Sequence, residues 1–189
     1  NGNYIFRLSM SSDDFSDSRD LSFSITGARD CPGGSTMALN ELEGEIYNIL
    51  GPNPGAFDLA EGKMVAIHQA NGAKDLLDQT FIGSKTAGGG FSRILGSANG
   101  ASFLVNPANL DANQLSQEAI QKAWSQGSAQ ATTPPLNPGD LVLVQLNPAR
   151  GKPGIFLLRI ESVDTVTGPS ERKTNGGIIR FKYSHVHSS

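Results

Sequence analysis

Three apolar runs crowd the last fifty residues of this 189-residue chain and constrain its fold more than anything before them. They are Leu141-Val142-Leu143-Val144, Ile155-Phe156-Leu157-Leu158-Arg159-Ile160 and Ile178-Ile179-Arg180-Phe181-Lys182-Tyr183. Each is short, rich in β-branched or aromatic residues, and bounded by turn formers: Asn147-Pro148 to Pro153-Gly154 after the first, Gly168-Pro169 to Gly176-Gly177 after the second. Such runs predict strands, and consecutive short strands tend to pair, so the segment reads as a three-strand antiparallel meander. Side chains alternate along a strand, which puts Leu141 and Leu143 on one face and Val142 and Val144 on the other. Both faces are apolar, so both need cover, with a helix expected on one of them.

Upstream, Tyr4 to Met10 and Leu21 to Gly27 alternate apolar and polar residues, predicting two strands of a half-solvated hairpin joined by the acidic stretch Asp13 to Asp20. From residue 36 to 50 the period changes: Leu39, Leu42, Ile46, Ile49 and Leu50 recur at three- and four-residue steps. That spacing predicts a helix over 36–50, capped by Ser35 or Thr36 and stopped at Gly51-Pro52, although Gly44 weakens it. Short pieces at 63–68, 76–82, 91–95 and 102–105 are strand candidates between glycine-rich turns. A second helix is predicted over 111–126, with Asp111 as N-cap, Leu115, Ala119, Ala123 and Trp124 on its apolar stripe, Ile120 at the edge and Gly127 as the stop. Trp124 on that stripe reads as core rather than as a platform for a sugar ring. Ser128 to Pro138 reads as a linker.

The length suits one domain, 1–189, with 1–50 as a separable N-terminal hairpin-helix subregion, and is enough to build a core without metal or disulfide. Charged residues make up only 17% of the chain, while Gly at 22 and Pro at 10 are high, the mix of a turn-rich β protein with a neutral surface. A net charge of −3 with scattered Lys and Arg argues against nucleic acid, whose phosphates need clustered cations. No apolar run approaches the roughly 20 residues of a transmembrane helix. The chain opens on Asn1-Gly2-Asn3-Tyr4 without a basic and apolar leader pattern, so any secretory leader is expected to have been removed or to lie outside this stretch.

Few residues carry chemistry. Asp13, Asp14, Asp17 and Asp20 gather hard oxygen donors that could wrap calcium, but without the EF-hand glycine and terminal glutamate; the plainer reading is a solvated acidic loop. His185 and His187 stand two apart, as two ligands on one strand face would, and His68 could complete a three-histidine zinc site. That requires the strand of His68 to lie beside the end of the 178–183 strand; otherwise the last five residues read as a frayed polar tail. Gly83-Ser84-Lys85-Thr86 lacks the glycine spacing of a phosphate loop. Cys31, alone in Asp30-Cys31-Pro32-Gly33-Gly34, reads as an inert thiol. No nucleophile elbow, His-Glu-x-x-His or evident carboxylate pair is present, so no catalytic residue and no cofactor is expected.

From Gly55 onward the chain resembles secreted or lipoprotein-attached domains of Bacteroidetes-type bacteria. The resemblance rests on Ala56-Phe57-Asp58-Leu59, Gly62-Lys63-Met64-Val65, Asp75-Leu76, the helix ending in Ala123-Trp124-Ser125-Gln126-Gly127, and the three C-terminal runs with their preceding glycines. It implies a secreted, periplasmic or cell-surface location and no activity. The expectation is thus a β-rich α+β domain, mostly antiparallel, sandwich or barrel-like, with two helices. Its expected role is an accessory or binding domain for a glycan or an envelope protein. The alternatives are a metal-dependent hydrolase and a purely structural module of a surface assembly.

Overall fold

A computed structural model describes residues 2–12, 15–25, 41–49, 52–80, 91–112, 115–165 and 176–186. The chain divides into two units, Asn1–Ser35 and Thr36–Ser189. In the first, β1 (Gly2–Ser12) and β2 (Phe15–Ile25) pair antiparallel, from Gly2 opposite Ile25 to Ser12 opposite Phe15. The hairpin is as expected, but its strands are longer: 15–20, read from the sequence as loop, is strand. Cys31 and the Gly83–Thr86 motif lie outside the described residues.

The second unit holds β3 (Leu42–Tyr47), β4 (Ala56–Asp58), β5 (Lys63–Val65), β6 (Leu76–Asp78), β7 (Leu95–Gly96), β8 (Ser102–Val105), α1 (Gln117–Gln126), β9 (Leu141–Gln145), β10 (Ile155–Thr165) and β11 (Gly177–Val186). Two antiparallel sheets result, one ordered β3-β11-β10-β9-β8 and the other β5-β4-β6-β7, and neither closes into a barrel. The β9-β10-β11 meander forms as the apolar runs require. Val142 and Val144 join Phe156, Leu158, Ile160, Ile179 and Phe181 in the larger core, while Leu141 and Leu143 join Leu157, Val186 and the helix residues Ile120 and Ala123 in a second one. A bulge between Ile160 and Ser162 turns Glu161 outward and returns Val163 to the core side.

Two expectations are corrected. The 36–50 segment is not a helix where described: 42–47 is strand β3, paired with β11 from Leu42 opposite Tyr183 to Tyr47 opposite Ile178. Gly44 explains the misreading. It occupies a core-facing strand position, and a Cβ there would come within 2.6 Å of the Phe181 ring and 3.1 Å of Phe57. The aromatic rings supply the bulk that an apolar side chain would otherwise have signalled. The second helix is shorter than predicted, beginning at Gln117 rather than 111, because Ser116 is its N-cap and accepts from the Ala119 amide. α1 is the one α-helix among the described residues. Its buried residues are Ile120 and Ala123, whereas Trp124 and Leu115 pack half-buried against the second core.

The predicted linker is also more than that. Gln130 exchanges backbone hydrogen bonds with Phe103 (2.7 and 2.8 Å), Thr133 donates to the Leu95 carbonyl (2.8 Å) and accepts from the Leu95 amide through its hydroxyl (2.9 Å), and Leu136 donates to Arg93 (2.9 Å). This strap covers the β8 edge of one sheet and the β7 edge of the other.

Candidate functional site

The β4–β5 hairpin, the loop after residue 150 and the inner face of β11 enclose a groove of about 230 Å³. Leu59 to Gly62 form one wall, Lys152 the other, and Phe156, Tyr183 and His185 the floor, with Leu42 at the open end. Alternation places these floor residues on one side of the sheet: Tyr183 and His185 are two apart on β11, and His185 lies opposite Phe156 on β10. The His185 ring stacks on Phe156 (centroids 4.3 Å, 11° between planes), and its Nε2 sits 2.9 Å from the Pro153 carbonyl. Gly62, at φ +65°, brings the hairpin turn against the Tyr183 hydroxyl, where a Cβ would lie 2.7 Å away. Burial pushes the Tyr183 phenol above its ordinary range, so it stays a neutral hydroxyl. Leu42 is 56% exposed, a large apolar side chain left to solvent at the groove mouth.

Behind the groove wall lies a polar network that fixes its shape. Asp58 closes the hairpin turn by accepting from the Glu61 amide (3.0 Å), and its Oδ1 is 2.5 Å from Arg150 Nη2. Asp75, fully buried, lies 3.0 Å from Arg150 Nε, accepts 2.6 Å from Asn99 Nδ2 and 3.2 Å from the Ala60 amide. The Nε contact is an ion pair without hydrogen-bond alignment. Ser97 bonds Asn99 Oδ1 (2.7 Å), and Asn147 Nδ2 donates to the Asn99 carbonyl (2.9 Å). Burial opposes the Arg150 charge, but Asp58 and Asp75 outweigh it and hold the guanidinium above its ordinary pKa. The arrangement gives both buried carboxylates one shared cation, with neutral donors supplying the rest, and ties β4, the residue before β6 and the 147–151 turn together.

A third buried acid, Asp78, accepts from the Ile49 amide (3.2 Å) through Oδ2, while Oδ1 has no hydrogen-bond partner among the described residues. Burial raises its pKa, against the Thr80 and Ser92 hydroxyls and the Ile49 and Thr80 amides, which pull it down. On the opposite side of the first sheet an open depression of about 420 Å³ is lined by Glu43, Glu45, Glu161, Arg180 and Lys182. Most of the charges on this face are paired: Arg180 with Asp164 (2.5 Å) and Glu45 (3.6 Å), and Arg159 with Glu41 (2.7 Å) and Glu161 (3.2 Å). This larger depression is a solvated, charge-laced face, and the smaller groove is the better-built site.

Those sequence candidates that fall among the described residues are spread over separate elements. Asp17 and Asp20 lie in β2 opposite Met10 and Arg7, while Asp13 and Asp14 lie outside the described residues. His68 is exposed in the turn after β5, at the edge of the second sheet, whereas the neighbours of β11 are β10 and β3. His187 lies outside the described residues, but His185 is held in β11, so the strand continues to Val186 and the tail does not fray from 185. No three metal-ligating side chains cluster among the described residues, and no helix there is long and apolar enough to cross a membrane. Sequence reading missed Arg150, Asp75 and Asn99; Asp58 and Asp75 fall in the segments quoted for the resemblance, but nothing local marks them as partners. No protein family, curated protein or solved structure matches the chain.

Proposed function

We propose that the second unit is a non-catalytic binding module of a secreted or cell-envelope protein, and that its ligand seats in the groove over Tyr183 and His185. The observation that carries this reading is the groove itself: an apolar floor on paired strands, an exposed Leu42 at its mouth, and Glu61 and Lys152 at its rim. Its polar groups are held in place rather than poised for proton or group transfer. Asp58 and Asp75 are tied up by Arg150 and by neutral donors, and His185 is stacked and bonded to a carbonyl. Preformed apolar pockets with few convergent polar groups are typical of recognition sites.

Of the two ligand classes expected for such a location, a protein segment fits better than a glycan. Sugar rings are recognised on exposed aromatic faces, whereas Phe156 and Tyr183 are buried. The test is a nuclear magnetic resonance titration of the full chain with envelope-derived glycans and with peptides, following the Leu42 methyls and the His185 ring. Binding should shift those signals and be lost in Leu42→Glu, whose exposed position spares the fold. Ligand shifts confined to the charged opposite face, or undiminished binding by Leu42→Glu, would defeat the assignment.

A further inference from the structure

β3 is an edge strand, and its free edge runs into the groove mouth. In the pairing with β11 the Asn48 amide donates to Gly177, so even-numbered residues of β3 face β11, and odd-numbered ones face away. Tyr47, facing away, is satisfied by the Pro54 carbonyl. The outward backbone groups of Glu43 and Glu45 have no hydrogen-bond partner among the described residues. The other end of this sheet, at β8, is covered by Gln130. Among the described residues, one edge of this sheet is thus closed by its own chain and one short edge is open.

Resting on the binding-module reading above, we propose that this edge takes an extended peptide as an additional strand, and that the peptide alternates basic and apolar side chains. The alternation follows from the register. A strand laid along Leu42 to Glu45 would place every second side chain beside Glu43 and Glu45 on the charged face, and the intervening ones beside exposed Leu42 at the groove. On the charged face the acids are outermost, Glu41, Glu43 and Glu45, while Lys182 and Arg180 sit one strand further in. A newcomer thus meets carboxylates directly opposite, and Lys or Arg there makes favourable cross-strand pairs. The same charges select against a second copy of this chain. Edge-to-edge antiparallel pairing of two β3 strands would set glutamates against glutamates, which repel. Glutamates on an edge also serve simply to discourage pairing, but that role gives no reason to expose Leu42 between them.

The experiment uses the full chain and a synthetic heptapeptide of alternating lysine and valine, blocked at both ends. Binding is read by amide hydrogen exchange and by chemical shifts. The expected result is slowed exchange at the Glu43 and Glu45 amides together with shifts at Leu42. Affinity should fall about tenfold or more when the peptide's strand-facing amides are N-methylated, and similarly with Glu43→Lys/Glu45→Lys. The N-methylated peptide needs no variant to fold, so the prediction stands independently of the double substitution. A glutamate–valine peptide binding as well as the lysine one would overturn the proposal. So would no binding, or self-association of the chain without peptide. Shifts at Leu42 and His185 without protection at Glu43 and Glu45 would overturn strand addition while leaving the groove as a binding site. Protection at the edge with a silent groove would retain the docking strand and remove the groove from it.

Discussion

Replacing Arg150 with methionine is the sharpest test of how the groove is held. The guanidinium is the cation facing two carboxylates, Asp58 and fully buried Asp75. Removing one partner of a buried ion pair costs about 3–5 kcal/mol, because the other charge is left uncompensated. Here the figure is reduced on two counts. The Arg150 side chain is 21% exposed, so water already screens part of the interaction. Each carboxylate also keeps neutral donors, Asp58 the Glu61 amide and Asp75 both Asn99 Nδ2 and the Ala60 amide. About 2–4 kcal/mol remains for Arg150→Met. For a unit of this size that corresponds to a melting point lower by roughly 4–16 °C. Urea unfolding of wild type, Arg150→Met, Asp75→Asn and the double variant would measure it, with a coupling of about 1–3 kcal/mol expected between the two sites. A loss under about 1 kcal/mol, or additive effects in the double variant, would refute the view that this ion cluster fixes the hairpin.

Asp78→Asn should change the pH dependence of stability. Burial raises the Asp78 pKa in the folded state, so the native protein binds more protons than the unfolded one between the two values. Stability therefore falls as pH rises through that window, and the penalty persists above it. The variant should flatten that fall in unfolding curves taken from acid to neutral pH; an unchanged profile would contradict it. Ile120→Ala should cost about 2–5 kcal/mol, and Trp124→Ala less than the roughly 3–5 of a fully buried aromatic, since Ile120 is enclosed and Trp124 only half so. Calorimetry finding Trp124 the more damaging would reverse the assignment. Gly44→Ala should destabilise by about 1–3 kcal/mol through its approach to Phe181, and a companion Phe181→Leu should recover part of that loss; a neutral Gly44→Ala would mean the ring has room to move.

How far the chain could be read depended on whether the information was local. The meander was legible because each strand is a continuous apolar run with its own turn residues, and the division of Leu141 and Leu143 from Val142 and Val144 follows from strand geometry alone. β3 was not, because Leu39, Leu42, Ile46 and Ile49 happen to fall at helical spacing while Gly44 conceals the strand alternation. The strap at 130–136 has linker composition, and only its partners at Phe103, Leu95 and Arg93 reveal its role. The groove's network is less local still: Arg150 meets Asp58 and Asp75 from a turn far along the chain, and no spacing rule joins them.

The pairing of β3 with β11 has a consequence for synthesis. Its partner strand follows roughly 130 residues later, so on the ribosome β3 emerges with nothing to pair with. At typical elongation rates of about 5–20 residues per second that interval is on the order of ten seconds. Through it the nascent chain carries an unpaired strand, yet one whose glutamates keep neighbouring nascent copies from zipping onto it. The first sheet therefore closes last, when β11 enters between β3 and β10. A chain halted before Gly177 would hold every strand of the second sheet and four of the first, and lack the strand that joins β3 to β10.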